Sequence, residues 1–249
     1  MTSDGIGPAW LLRHRPDAPE PDESTLGQQV YLGLEERILT GQLLPGAKVS
    51  LRKLATSLET SMQPVREAVG RLVAASALEM TPNRSIRVPP VDRGVIDEIW
   101  AMRLLLEGEA AARFAARHTL AETRELFAPT RTMRTLRFGV DLVPTMQGLM
   151  EWNFRLLRGS GSPILIGMVH GLLLRYAPFL AHALTVPTPY DEAFLQFTLH
   201  IQDELVLAIE AGDVAAARHL RCADLRSFQR FLYSRVGWQP GVGDDVPAA

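Results

Sequence analysis

Residues 61–72 read Ser61-Met62-Gln63-Pro64-Val65-Arg66-Glu67-Ala68-Val69-Gly70-Arg71-Leu72, and their spacing decides the fold of the first third of the chain. Val65, Val69, Leu72 and then Val73 recur at helical intervals, so a helix over Met62 to Ala75 turns them toward a core. Gln63 and Arg66, three apart, share the opposite face, and Ser61 stands at the N-cap. Arg suits a bidentate bond to guanine and Gln one to adenine, while a Ser hydroxyl or amide at a helix N-terminus suits a phosphate. Singly, such residues are ordinary solvated surface groups. Their neighbours give them weight.

Upstream, Val30, Leu32, Leu34, Ile38 and Leu39 form a second apolar stripe that stops at Gly41, followed by the turn signal Leu44-Pro45-Gly46. A short helix fits Leu51 to Leu58, with Leu51, Leu54 and Leu58 inward and Arg52 on the side of Gln63 and Arg66, in reach of backbone or guanine. Downstream, Leu78-Glu79-Met80 and Ile86-Arg87-Val88 read as short strands around Thr81-Pro82-Asn83-Arg84, with Asn83 and Arg84 at the hairpin tip. Pro89 and Pro90 close the unit as a stiff linker. Three helices followed by a hairpin are the order of a winged helix-turn-helix. Its second motif helix enters the major groove of double-stranded DNA, and its hairpin tip the minor groove.

Charge agrees with that reading. The chain carries a formal −2, but Thr25 to Pro90 holds eight Lys and Arg against five Asp and Glu, so the remainder is acidic. With 47% hydrophobic and 22% charged residues, 249 residues suffice for one large or two small domains, expected in a cytoplasmic globular protein. Residues 1–24, with Pro8, Pro16, Pro19 and Pro21, lack a signal-peptide pattern and read as a flexible arm, and the tail over 236–249 is expected to fray. The apolar run Ile164 to Leu174 is interrupted by His170 and ended by Arg175, which favours a buried helix over a membrane span. Cys222 is the sole cysteine, so no disulfide and no Cys-based zinc site is available.

From Asp92 the strand signal disappears. Asp92 is a plausible N-cap for a helix to Arg117, with Val95, Ile99, Met102, Leu106 and Ala110 expected on its buried side. Further helices fit Leu120 to Leu136, Pro144 to Arg158, a span capped by Ser162 with Pro163 at its first position, one begun by Thr188-Pro189, and one from Asp213 to Tyr233. Six helices without intervening strands make an antiparallel bundle over residues 91–235.

The N-terminal segment closely resembles the GntR family of bacterial regulators. The match lies in Ile38-Leu39-Thr40-Gly41-Gln42-Leu43-Leu44-Pro45-Gly46, the pair Leu54-Ala55, and Pro64-Val65-Arg66-Glu67-Ala68-Val69 with Arg71-Leu72. Met62 and Ser85 depart from it, standing where a polar or basic residue and a wing glycine are usual. The C-terminal part resembles the FCD effector domain of the fatty-acid-regulator branch, through Arg103 with Leu106-Glu107, Phe154, Ser160-Gly161-Ser162-Pro163, Ala208-Ile209, Gly212-Asp213 and Ala217. The resemblance implies a ligand-responsive transcription regulator, a repressor by expectation, acting as a homodimer on an inverted repeat. It also implies a small-molecule effector held in the bundle.

Many domains of that type hold a metal with one Asp and three His, and this chain departs from them. Alignment with the family places Glu151, Arg155, Gln202 and Asp224 at the four positions, so no metal or other cofactor is expected. Arg has no lone pair to offer a metal. His200 lies about 200° around a helix from Gln202, and His219 about 140° from Asp224. The expectation is that Arg155 neutralises Glu151 and Asp224, either as an internal salt bridge or with part of its guanidinium left for an anionic effector. Arg103 is a second candidate anion contact. Two other classes stay open: a DNA-binding scaffold without ligand response, and a small-molecule enzyme on a helical bundle. The enzyme reading has no Ser/His/Asp set, phosphate loop or metal-ligand set in its favour.

Overall fold

The computed structural model describes residues 25–82, 85–135, 140–187 and 192–239. It begins with α1 (Leu26–Leu39), opened by Thr25, whose hydroxyl accepts the Gln28 N–H at 3.3 Å. β1 (Lys48–Val49), α2 (Leu51–Ser57), α3 (Met62–Ala74), β2 (Glu79–Met80) and β3 (Ile86–Arg87) complete the N-terminal unit. Val65, Val69 and Leu72 of α3 pack against Leu32, Leu34 and Ile38 of α1, all buried. Each contributes about 1.5–3 kcal/mol through burial. The three strands form an antiparallel sheet in the order β1-β3-β2, with Arg87 facing Lys48 on one side and Glu79 on the other. β1 has no counterpart in the sequence reading. Gly46, at φ 76°, makes the turn into it in a conformation that L side chains rarely adopt.

The rest of the chain is helical among the described residues: α4 (Arg93–Arg117), α5 (Leu120–Met133), α6 (Leu142–Gly159), α7 (Pro163–Thr185), α8 (Glu192–Glu210) and α9 (Val214–Arg235). The expected caps form. Asp92 accepts the Val95 N–H at 3.0 Å, Ser162 that of Leu165 at 3.4 Å, and Asp213 that of Ala216 at 2.9 Å. The expected start at Thr188-Pro189 lies outside the described residues. By length and composition α7 is apolar enough to cross a membrane, but most of it is buried among its neighbours, as befits the central helix of a bundle.

The buried side of α4 agrees with the expected one at Ile99 and Ala110, with Leu106 partly buried, and differs at Val95 and Met102, which are exposed. The inward face also takes in Ile96, Trp100, Arg103, Glu107, Ala111 and Phe114. Two of those six are charged, so a search for apolar periodicity passes over them. Their presence inside requires partners, and these define the centre of the bundle.

The two units meet where α1 lies on α7. Gly41, at φ 74°, follows α1, and a Cβ there would stand 2.8 Å from the Cβ of Ala181. The carboxylate of Glu35, fully buried, lies 3.1 Å from the Tyr31 hydroxyl and 3.1 Å from Nε2 of His170 on α7.

Candidate functional site

Two sets of side chains are available for chemistry, one on the surface of the N-terminal unit and one buried in the bundle. On the surface, α3 exposes Gln63 and Arg66 while Val65 is sealed beneath them. Ser61 caps this helix by backbone geometry alone, without a side-chain cap hydrogen bond, so its hydroxyl stays available. Gln63 donates to Glu67 at 2.8 Å, which holds its amide against the helix surface. Arg52 on α2 is exposed. Met62, the departure from the usual pattern, is half-buried against the core. Asn83 and Arg84 lie outside the described residues. The hairpin leading to them is fixed by Arg87 pairing with Glu79 across the strands and by the Thr81 N–H bonded to the Ser85 carbonyl at 2.8 Å.

Sequence reasoning overlooked a second basic feature. Arg37, Lys48 and Lys53 line one concavity between α1, β1, α2 and the base of the hairpin, together with Ser50, Ser57 and Ser85 and, among the described residues, no carboxylate. Lys48 and Lys53 flank the cap Ser50, a pattern of two cations about a helix start that a search for phosphate contacts could have used.

In the bundle, Arg221 of α9 is the central group. It is buried and bonds Glu107 of α4, Asn153 of α6 and, at 2.5 Å, Asp224 one turn further along α9. Glu107 also receives Arg103 at 2.6 Å, and Gln202 of α8 reaches Asp224 at 3.5 Å. Arg103 is held between two rings, 4.7 Å from the centroid of Trp100 and 4.6 Å from that of Tyr176. Two guanidinium groups and two carboxylates thus share one buried site. Among the described residues, Nη1 of Arg103, Nε of Arg221 and Oε1 of Gln202 find no hydrogen-bond partner there.

The electrostatics of the two acids differ. Burial pushes the Glu107 carboxyl up, but Arg103 and Arg221 together outweigh it and hold the group below the usual carboxylate range. Burial also raises Asp224, and Arg221 only partly offsets this, so it ends above its ordinary value. For Arg221, burial opposes the charge while Glu107 and Asp224 more than restore it. Burial likewise raises the Tyr176 phenol, which therefore remains protonated at neutral pH.

This arrangement corrects the expected role of Arg155. Arg155 does pair with Glu151, at 2.6 Å, but its other bond goes to the Glu125 carbonyl on α5 at 2.9 Å, and Asp224 is taken by Arg221. Asn153 is the α6 residue that reaches the centre, and it stands two positions, about 200°, from both Glu151 and Arg155. Arg155 instead lines a cleft of about 30 Å³ with Glu122, Glu125 and Arg158, room for a water but not for an organic molecule. Gln202 and Asp224 are in the site as expected; Glu151 and Arg155 are not. No group of three His, Cys, Asp or Glu able to hold a metal occurs among the described residues, and a guanidinium occupies the centre, so the residues present do not fit the family's metal.

A helix-turn-helix with a hairpin wing, the architecture of a DNA-binding module, is joined here to a helical bundle with a polar centre. Comparison with known proteins specifies the kind. Residues 26–88 match the family described as bacterial regulatory proteins, gntR family, and residues 98–226 match the FCD domain. The chain belongs to the GntR family and carries its FCD domain. It is 28% identical to the HTH-type transcriptional regulator McbR of Escherichia coli K12, over 85% of this chain and 94% of that one. It is also 28% identical to a probable D-xylose utilization operon transcriptional repressor of Paenarthrobacter nicotinovorans, over 79% and 84%. The solved structure of E. coli McbR/YncC superimposes with a TM-score of 0.78, covering 86% of this chain and 99% of that one. GntR regulators bind DNA, and FCD domains bind small-molecule effectors.

Proposed function

We propose that this chain is a cytoplasmic, ligand-responsive repressor that binds an inverted-repeat operator as a homodimer. Residues 25–90 form the DNA-binding domain and residues 91–235 the effector and dimerisation domain. Arg66 and Gln63 read base edges, Ser61 and Arg52 position the phosphate backbone, and Asn83 and Arg84 enter the minor groove. The observation that carries this is the exposed polar face of α3 over a sealed Val65-Val69-Leu72 core. Repression rather than activation is favoured by the relative named a repressor. Dimerisation is favoured because one recognition helix spans too few base pairs for useful specificity.

For the effector, the unmatched donors of Arg103 and Arg221 and the unmatched Gln202 oxygen favour a small polar or anionic molecule that completes their hydrogen bonds. Nuclease footprinting on the DNA adjoining the chain's own gene tests the reading. Two protected half-sites about one helical turn apart are expected, with protection released by one compound of a metabolite panel. A monomer by light scattering, with and without DNA, is incompatible with it. Protection that no metabolite alters favours a scaffold without ligand response.

A further inference from the structure

A concavity of about 550 Å³ lies between the two units, away from the polar centre of the bundle. Its walls come from the end of α3, strand β2, the Pro89-Pro90 linker, the start of α4 and the middle of α7. That is the size range of sites for small organic ligands. Most of the lining is apolar, with Phe179 and Pro178 on the α7 side and Met80 and Val95 exposed on the other. Three charged residues line it. Glu79 is engaged by Arg87, and Asp92 is engaged as the N-cap of α4. Arg175 is exposed and makes no ion pair among the described residues.

We propose that this cleft is a second ligand site, for a compact apolar molecule carrying one anionic group that Arg175 receives. Charge complementarity sets the sign, because both carboxylates are already occupied and the one unengaged charge is a cation. Because the walls belong to both units, an occupant fixes the angle between the wing and the bundle. It thereby favours whichever operator affinity that angle gives.

Two fluorescent probes of matched shape test this on the full chain: 1-anilinonaphthalene-8-sulfonate and its uncharged analogue N-phenyl-1-naphthylamine. One equivalent of the sulfonate is expected to bind per chain. Arg175→Gln is expected to weaken it about three- to tenfold while leaving the neutral probe unchanged. Val95→Trp fills the cleft from an exposed position and is expected to abolish both; Met80→Trp serves if that variant does not fold. Ile164→Trp, at an exposed apolar position away from the cleft, is expected to change neither. Binding that ignores Arg175→Gln and the filling variants overturns the proposal, as does no binding up to millimolar probe. Binding lost as protein concentration rises assigns the face to a second copy of the chain and also overturns it. The readout needs no DNA, so it stands apart from the operator reading.

Discussion

Glu35 in α1 and His170 in α7 meet across the boundary between the DNA-binding unit and the bundle, with the carboxylate 3.1 Å from Nε2 and fully buried. The His170 ring packs at 5.5 Å from that of Phe154 in α6, so the contact continues into the bundle interior. A buried acid at a seam ties the two units together by more than the covalent linker.

Nε2 of His170 approaches the Glu35 carboxylate at 3.1 Å without the alignment of a hydrogen bond, so His170→Leu is expected to destabilise the chain by only about 0.5–1.5 kcal/mol. Double replacement with Glu35→Gln is expected to recover part of that loss. Denaturant unfolding of the four members of this cycle measures the coupling. Additive effects would mean that the two side chains are neighbours without being partners.

Arg66→Ala is expected to cost about 1–3 kcal/mol of operator affinity and to relax preference at one base pair of each half-site. Arg52→Ala is expected to weaken all sequences alike. Binding selections from randomised half-sites separate the two behaviours. Unchanged selectivity in Arg66→Ala would remove α3 from the role of reading helix.

Glu107→Gln leaves two buried guanidinium groups with Asp224 as the remaining carboxylate, and is expected to destabilise by about 3–5 kcal/mol at neutral pH. The Glu107 carboxyl sits below its ordinary 4.5, so its contribution is full above that value and is lost as pH falls through the lower folded value. The gap between wild type and Glu107→Gln should therefore narrow in acid. Asp224 is shifted the other way, so its charged form is disfavoured in the fold as pH rises, and Asp224→Asn is expected to cost less. Unfolding at a series of pH values checks both.

Purified protein is expected to hold no stoichiometric zinc, nickel or manganese, and added metal is not expected to raise Tm. Arg221 already supplies the central positive charge, and no second cation can approach it without losing the bonds to Glu107 and Asp224. Elemental analysis after dialysis decides this. One equivalent per chain, lost on chelation, would contradict the geometry of the centre.

Glu59, in the turn between α2 and α3, has φ 49°, a left-handed conformation for a residue with a Cβ. Glu59→Gly is expected to stabilise by about 0.5–1 kcal/mol, relief of the steric cost exceeding the added freedom of the unfolded chain. A rise in Tm of a few degrees is the readout.

The fold was legible where a local rule sufficed. Asp92, Ser162 and Asp213 announced helix starts because a capping side chain acts within three residues of itself. The surface of α3 was legible because Val65, Val69 and Leu72 leave only one face for Gln63 and Arg66. β1 was not legible, since its partner β3 lies far along the chain, whereas the equally short β2 and β3 face each other across one turn. The bundle centre was half legible. Gln202 and Asp224 were placed, but Arg221 passed as one of the many arginines of α9, although Ala217 and Leu225, four residues to either side, put it on their buried face. Arg103 was anticipated in the interior, whereas its partner Glu107 served only as a sequence landmark. Charged residues inside a core are invisible to a search for apolar periodicity until their partners on other helices are known.

The fit of Gly41 against Ala181 bears on how freely such proteins can be recombined. Operator-reading and ligand-sensing units look interchangeable, and a chimera joined at Pro89-Pro90 preserves each core intact. Yet any side chain at position 41, or a larger one at 181, places atoms where none fit. A donor bundle lacking a His170 counterpart also removes the group that faces Glu35 from α7. Grafts onto this chain are therefore compatible only when the α1 and α7 surfaces are exchanged as a matched set, so modularity here is governed by the seam rather than by the linker.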